Sequence, residues 1–393
     1  MQLARQERAV APGAPLWAAE RPDPDNVRRI AVLVLSPIGD TLFATPALRA
    51  LRQTFRRATI VAVVWTSNRA ILSGNPNVDV VLACESTVDL MRLLRSPQWD
   101  DFDLAVALSN VGSWFSLLWP RVPKVGFNGR WLHRFYAYSV ADYRDIHAVD
   151  YCLNVVRAVG ADTQDRRLEF PLGAGDRRFA REFLAGMGVR RGEGGPPLVA
   201  LHPGGRFYPA KRWPVERFAS LATQLQEQWG ARVLVIGGKD DAPLAQAIAE
   251  QARGQVLVTA GRLGLRQSAA LLEQADVFIG NDSGPLHLAN AVGTPVVGLF
   301  GPTDPANFGP RTGPHQLVRH ALPCSPCFRW MGGLLQYVPG WRNPGCGFAC
   351  MRSITVEEVM QAAGRLLQEN SGRAAKPEAE RARGERVPGE SSY

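Results

Sequence analysis

The chain has 393 residues, a length that fits two to three domains at roughly 150 residues each. Hydrophobic residues make up 46% and charged residues 21%, ordinary globular proportions that exclude wholesale disorder, collagen-like repeats and a many-span membrane protein. The formal net charge of +9 favours an anionic partner without choosing among nucleic acid, a phosphorylated small molecule and a membrane surface.

Met1 to Glu20 alternates small, charged and proline residues with no apolar h-region, so residues 1–27 are expected to be a disordered N-terminal segment rather than a secretory signal, and the expected compartment is the cytoplasm. Ile30 opens a run of β-branched and aliphatic residues that predicts a strand buried on both faces, followed by a Pro-Ile-Gly-Asp turn and a helix from about Thr41 to Phe55. Further strands are predicted at Thr59 to Val64, Val78 to Leu82 and Asp103 to Leu108, with a helical segment at Val88 to Leu94. The uncharged stretch Leu104 to Pro120 falls short of about 20 apolar residues and reads as strand, loop and short helix.

The pattern restarts after the Gly/Pro-rich loop Arg190 to Pro197. Strands are predicted at Leu198 to Leu201, Arg232 to Ile236, Gln255 to Thr259, Val277 to Ile279 and Val296 to Phe300. Helices fit between them, from Trp213-Pro214 to Trp229, Asp241 to Arg253, Arg266 to Gln274 and Gly284 to Val292. The alternation implies an α/β architecture of two doubly wound parallel sheets, with ligands beyond the carboxyl ends of the strands. A last helix at 355–370 precedes a charged tail, 371–393, without apolar content, expected to be disordered.

Three turns carry candidate chemistry. In Ser36-Pro37-Ile38-Gly39-Asp40-Thr41 a carboxylate stands between a strand and a helix, where it can act as N-cap or as a reacting base. In His202-Pro203-Gly204-Gly205-Arg206, followed by Lys211-Arg212-Trp213-Pro214, glycines let backbone N–H groups approach a phosphate and Lys211 supplies a compact charge before a helix start. Lysine occurs only at 124, 211, 239 and 376, which singles Lys211 out from the arginine-rich background; an ordinary surface lysine is the plain alternative. In Asn281-Asp282-Ser283-Gly284-Pro285-Leu286-His287 a helix start suited to anions has a histidine in its first turn. Capping alone accounts for Asp-Ser-Gly-Pro, and a satisfied core histidine is the alternative for His287. The glycine spacing of a dinucleotide fingerprint and a Walker A loop are both missing.

Taken in order, Gly39-Asp40 with Thr45-Pro46-Ala47-Leu48, His202-Pro203-Gly204, Lys211-Arg212-Trp213-Pro214, Asn281 to His287 and Gly301-Pro302-Thr303-Asp304-Pro305 resemble the ADP-heptose:lipopolysaccharide heptosyltransferase family, glycosyltransferase family 9. The resemblance runs from about residue 30 to 370. It implies a GT-B fold, two Rossmann-like domains facing a central cleft, with an acceptor-binding domain at 28–190 and a nucleotide-sugar-binding domain at 195–350. It also implies an inverting transferase that requires no cofactor for catalysis. By the same resemblance Asp40 matches the general base; Gly204, Lys211, Asp282, Ser283, Gly284 and His287 match donor-binding positions, and Asp241 or its neighbour Asp240 falls where a ribose-binding carboxylate is expected. The implied partners are ADP-heptose and a phosphorylated lipopolysaccharide core precursor at the inner leaflet of the membrane, with no nucleic acid; Arg69, Lys124, Arg130 and Arg134 are the candidate acceptor-binding cations. A same-family enzyme with another donor or acceptor, and a non-catalytic nucleotide-sugar-binding protein, are the competing readings.

Cys324, Cys327, Cys346 and Cys350 form C-x2-C, a gap and C-x3-C, close to the spacing of a structural zinc site. Reduced thiols packed near the last helix are the alternative.

Overall fold

A computed structural model describes residues 21–109, 113, 122–128, 138–141, 146–189, 195–205, 208–327 and 347–374. Residues 1–20 and 375–393 of the two expected disordered ends, the stretch 114–120, Arg130, Arg134, Cys346 and much of the 190–197 loop therefore lie outside the described residues; within the described part, Val27 is buried and the last helix runs on to Ala374, so the expected disorder at 21–27 and 371–374 is corrected. The chain forms two compact units. The first runs to Pro171 and takes in Thr303–Thr312 and Cys324–Gly347; the second comprises Leu172–Pro302, Gly313–Pro323 and the residues from Phe348 on.

In the first unit the strands are β1 (Arg29–Val34), β2 (Thr59–Trp65), β3 (Val80–Cys84), β4 (Leu104–Ala107), β5 (Lys124–Asn128) and β6 (Tyr138–Ala141). They form one sheet in the order β3-β2-β1-β4-β5-β6, and every pairing is parallel. Both faces of β1 are covered, since Ile30 to Val34 are all buried, which explains its unbroken apolar run. Helices α1 (Ile38–Phe43), α2 (Thr45–Thr54), α3 (Arg69–Leu72), α4 (Thr87–Leu94) and α5 (Ala148–Arg157) accompany this sheet. The single helix expected from Thr41 to Phe55 is two, beginning three residues earlier, because Pro46 in the first turn of α2 has no N–H to continue α1.

The second unit repeats the plan with β7 (Leu198–His202), β8 (Arg232–Val235), β9 (Val256–Val258), β10 (Val277–Asn281), β11 (Val296–Phe300) and β12 (His315–Arg319), in the order β12-β11-β10-β7-β8-β9. Its helices are α6 (Ala174–Gly186), α7 (Val215–Trp229), α8 (Ala242–Gln251), α9 (Leu265–Glu273) and α10 (Gly284–Ala291). The short α11 (Pro305–Phe308) falls in the segment counted with the first unit, and α12 (Ala349–Arg352) and α13 (Val356–Ala374) complete the second. Gly230 ends α7 in the left-handed conformation, φ 59°, the geometry glycine adopts most cheaply. Trp213, Phe218, Leu221, Val359 and Leu366 share one core, and Trp213 Nε1–H donates to Ile354 O at 3.0 Å, so α13 closes the second sheet.

The boundary between units falls at Pro171/Leu172 rather than in the 190–197 loop. The reason is α6: Asp176 pairs with Arg266 at 2.9 Å and Arg177 with Glu273 at 2.8 Å, tying the helix to α9.

In each sheet the chain turns back at the same place. β1 sits between β2 and β4, and β7 between β8 and β10, so loops leaving the carboxyl ends of these neighbours diverge and open a crevice there.

Candidate active site

The carboxyl end of β1 carries Asp40. Pro37 is the N-cap of α1 and no side chain caps that helix, so Asp40 lies inside the first turn and is not spent on capping. The surrounding turn is held firmly. Thr41 is buried and its hydroxyl donates to Pro37 O at 3.0 Å. Asn68, also buried, donates from Nδ2 to Ser36 O and to Thr41 Oγ1 at 3.0 Å. Burial, reinforced by the nearby Asp40 charge, pushes the Cys152 thiol well above its ordinary pKa, which keeps it an inert packing group. Asn68 has no place in the sequence expectations; the only signal was a polar residue just after a buried strand.

Arg69 follows Asn68 at the start of α3 and is exposed, on the same sheet edge as Asp40. Lys124 is not. It is 5% exposed, opens β5 and pairs with Ala105, which lies opposite Ala31 near the amino end of β1. Burial lowers its pKa. Its expected role in acceptor binding is therefore corrected: the lysine sits at the amino half of the sheet, inside it.

The carboxyl ends of β7 and β10 bring most of the other candidates together. Asn281, the last residue of β10 and fully buried, donates from Nδ2 to Pro203 O and Gly204 O, each at 2.9 Å, and accepts from Trp213 N–H at 3.1 Å. One side chain thereby fixes the glycine loop after β7 and the start of the segment entering α7. Lys211 ends the 3-10 turn Pro209–Lys211 and its Nζ lies 2.8 Å from Asp282 Oδ2 and 5.7 Å from the centre of the Tyr208 ring. On its other oxygen Asp282 faces His287 Nε2 at 3.5 Å.

Asp282 is 4% exposed. Burial alone would raise its pKa, but the charge of Lys211 and the hydrogen bond and charge of His287 hold the carboxyl far below the usual range. This corrects its expected role: the carboxylate is turned inward as the partner that fixes Lys211 and His287. Ser283 is the N-cap of α10, yet its hydroxyl bonds Asn281 O at 3.0 Å and His202 Nδ1 at 3.1 Å instead of the helix's own N–H groups. Among the described residues no side chain caps that helix start; Pro285 has no N–H and the Leu286 N–H donates to Ser283 O at 3.0 Å, so the Gly284 N–H is the backbone donor left for the expected anion site.

Asp241, at the start of α8, is buried and accepts from Gly238 N–H at 2.9 Å and from His202 Nε2 at 3.3 Å. Burial would raise its pKa, but His202, the Gly238 N–H and the Arg212 charge leave the carboxyl below the ordinary range. A Cβ at Gly204 would stand 2.0 Å from Asp241 Oδ1 and 2.7 Å from His202 Nε2, so glycine there serves close packing of these two side chains as well as backbone access.

Cys324 is exposed, Cys327 half-buried and Cys350 buried against Gly301 and Met351. Cys346 lies outside the described residues. Among the described residues, no three or more His, Cys, Asp or Glu side chains gather as a metal site.

With a carboxylate beyond β1 at the first switch point and Lys211 and His287 at a helix start beyond β10 at the second, the architecture fits transfer of a group from an anionic leaving group. The model of glycosyltransferase family 9 (heptosyltransferase) matches residues 90–336. This chain belongs to that family. It is 25% identical over 365 residues to lipooligosaccharide heptosyltransferase 2 of Haemophilus ducreyi, covering 86% of this chain and 99% of the relative. The family 9 glycosyltransferase structure from Veillonella parvula superposes with a TM-score of 0.72 at 24% identity, covering 87% of this chain and 97% of that one. The structure of E. coli ADP-heptose lps heptosyltransferase II gives 0.69 at 21% identity, covering 87% and 99%. The fold is accordingly the GT-B fold of family 9, and the protein is a glycosyltransferase.

Proposed function

We propose that this family 9 enzyme transfers a heptose from ADP-heptose to the inner core of lipopolysaccharide with inversion at the anomeric carbon. The observation that carries the reading is the open start of α10, with Lys211 and His287 held at Asp282. The Lys211 ammonium, the His287 ring and the backbone N–H at the start of α10 suit a diphosphate leaving group. The relatives named for heptose transfer support the choice of sugar and acceptor.

In this reading the Asp40 carboxylate takes the proton of the acceptor hydroxyl as its oxygen forms the new bond to C1. The C1–O bond to the diphosphate breaks on the opposite face, and ADP leaves with the electron pair, its charge offset by Lys211 and the start of α10. No metal takes part in this scheme. Arg69 and the basic balance of the chain offer charge to a phosphorylated acceptor on the inner leaflet of the membrane, where the enzyme works as a cytoplasmic peripheral protein. Among the described residues no helix is long and apolar enough to cross a membrane. The cysteine spacing leaves two readings, a structural zinc and reduced thiols; metal analysis of the purified protein, with Cys324→Ser as control, separates them, zinc in the parent and less in the variant supporting the first and a metal-free parent removing it.

A thermal-shift screen of nucleotide sugars tests the donor. ADP-heptose is expected to raise Tm most and then to extend a heptose-free core acceptor by one heptose. Stabilisation and transfer with a different nucleotide sugar alone would overturn the assignment.

A further inference from the structure

His202 ends β7 and is 3% exposed. Its two ring nitrogens meet different elements. Nε2 lies 3.3 Å from Asp241 Oδ2, and Nδ1 lies 3.1 Å from Ser283 Oγ. A carboxylate can only accept, so Nε2 carries a proton. Ser283 Oγ also lies 3.0 Å from Asn281 O, another pure acceptor, so the hydroxyl proton points there and Oγ offers a lone pair to the ring. Nδ1 must then donate as well. All three contacts are hydrogen bonds together when Nε2 donates to Asp241 and Nδ1 to Ser283 Oγ.

We propose that His202 is a positioning residue of the donor site: braced by Asp241, its Nδ1–H holds Ser283 Oγ so that the hydroxyl proton is free to turn from Asn281 O to the diphosphate. The inference rests on the start of α10 being the diphosphate site. A ring protonated only on Nε2 would present a bare Nδ1, draw the Ser283 proton to itself and withdraw a donor from the ligand. His202 therefore acts through Ser283 without touching the ligand.

Two substitutions separate this role from mere packing. Asn at 202 places an amide N–H near the Nδ1 position, whereas Gln places its amide near Nε2. Titration of ADP into the full chain should give His202→Asn a Kd within about threefold of the parent, and His202→Gln a Kd weaker by about tenfold or more, the scale of one hydrogen bond to a charged group. Their Tm values should fall together. Equal Kd values for the two variants, whether parental or equally weak, overturn the proposal. Should His202→Gln not fold, His202→Ala replaces it. That variant should weaken ADP binding about tenfold in the parent and by nothing further on a Ser283→Ala background, and additive losses overturn the proposal. Lys211→Ala run alongside tests the underlying reading separately, because unchanged ADP binding there removes the diphosphate site itself, whatever the His202 variants do.

Discussion

Asp282 is the residue on which the donor side turns, because a buried carboxylate between Lys211 and His287 is stable only while it is ionised and paired. Its folded pKa is depressed, so its contribution is fully present above the unfolded carboxylate value of about 3.9 and is lost as pH falls below it. Asp282→Asn should therefore be less stable than the parent at pH 7, and the gap in Tm should narrow steadily as melts are repeated from pH 5 down to pH 3. A gap independent of pH would mean that the ion pairs do not stabilise the fold. The residue types here were legible beforehand: Lys211, Asp282, Ser283 and His287 all stood out in the sequence. Which of them faces a ligand was not, because whether the Asp282 carboxylate points inward depends on Lys211, 71 residues away. His202 and Asn281 were visible only as members of motifs, and their bracing roles come from contacts across β7 and β10.

Among the elements, the segment leading out of the first unit is pinned to α2 by one arginine. Arg49 is 7% exposed; its Nε donates to Glu169 at 2.9 Å, and its Nη groups donate to Asp165 O at 2.9 Å and Arg167 O at 2.8 Å. Asn75 and Asn77 satisfy the second oxygen of Glu169 at 3.2 and 2.9 Å. Arg49→Ala should cost about 1.5–3 kcal/mol, the scale of lost hydrogen bonds to a charged group, and Arg49→Lys should recover little, since an ammonium cannot span the same acceptors. Denaturant melts of both variants decide; a parental midpoint in Arg49→Lys would show that charge alone suffices. Strands with continuous apolar runs, such as β1, β7 and β10, were legible from pattern. β5 begins with Lys124, and β12 reads His-Gln-Leu-Val-Arg with only Val318 buried; such an edge strand carries little of the period that sequence patterning detects. α6 was hidden for another reason: its place in the second unit depends on ion pairs to Arg266 and Glu273, which local sequence does not disclose.

For the whole molecule, the two sheets share one strand order, and in the proposed scheme each presents its chemistry where the connections reverse. The ordered motifs made the two-domain plan legible, while the segment Thr303–Thr312, which follows β11 yet belongs to the first unit, was not. It is fastened there by Arg311 to Asp150 at 2.9 Å and by His147 Nε2 to Gly309 O at 2.8 Å, contacts between residues more than 150 positions apart. The division of labour predicts that base and donor functions separate by mutation. The most direct measurement is transfer of heptose from ADP-heptose to a heptose-free core acceptor by the parent, Asp40→Asn and Lys211→Ala, with ADP affinity measured on the same samples. The account predicts that Asp40→Asn loses transfer by about a hundredfold to ten-thousandfold while binding ADP like the parent, and that Lys211→Ala loses ADP affinity. Parental transfer by Asp40→Asn would contradict it.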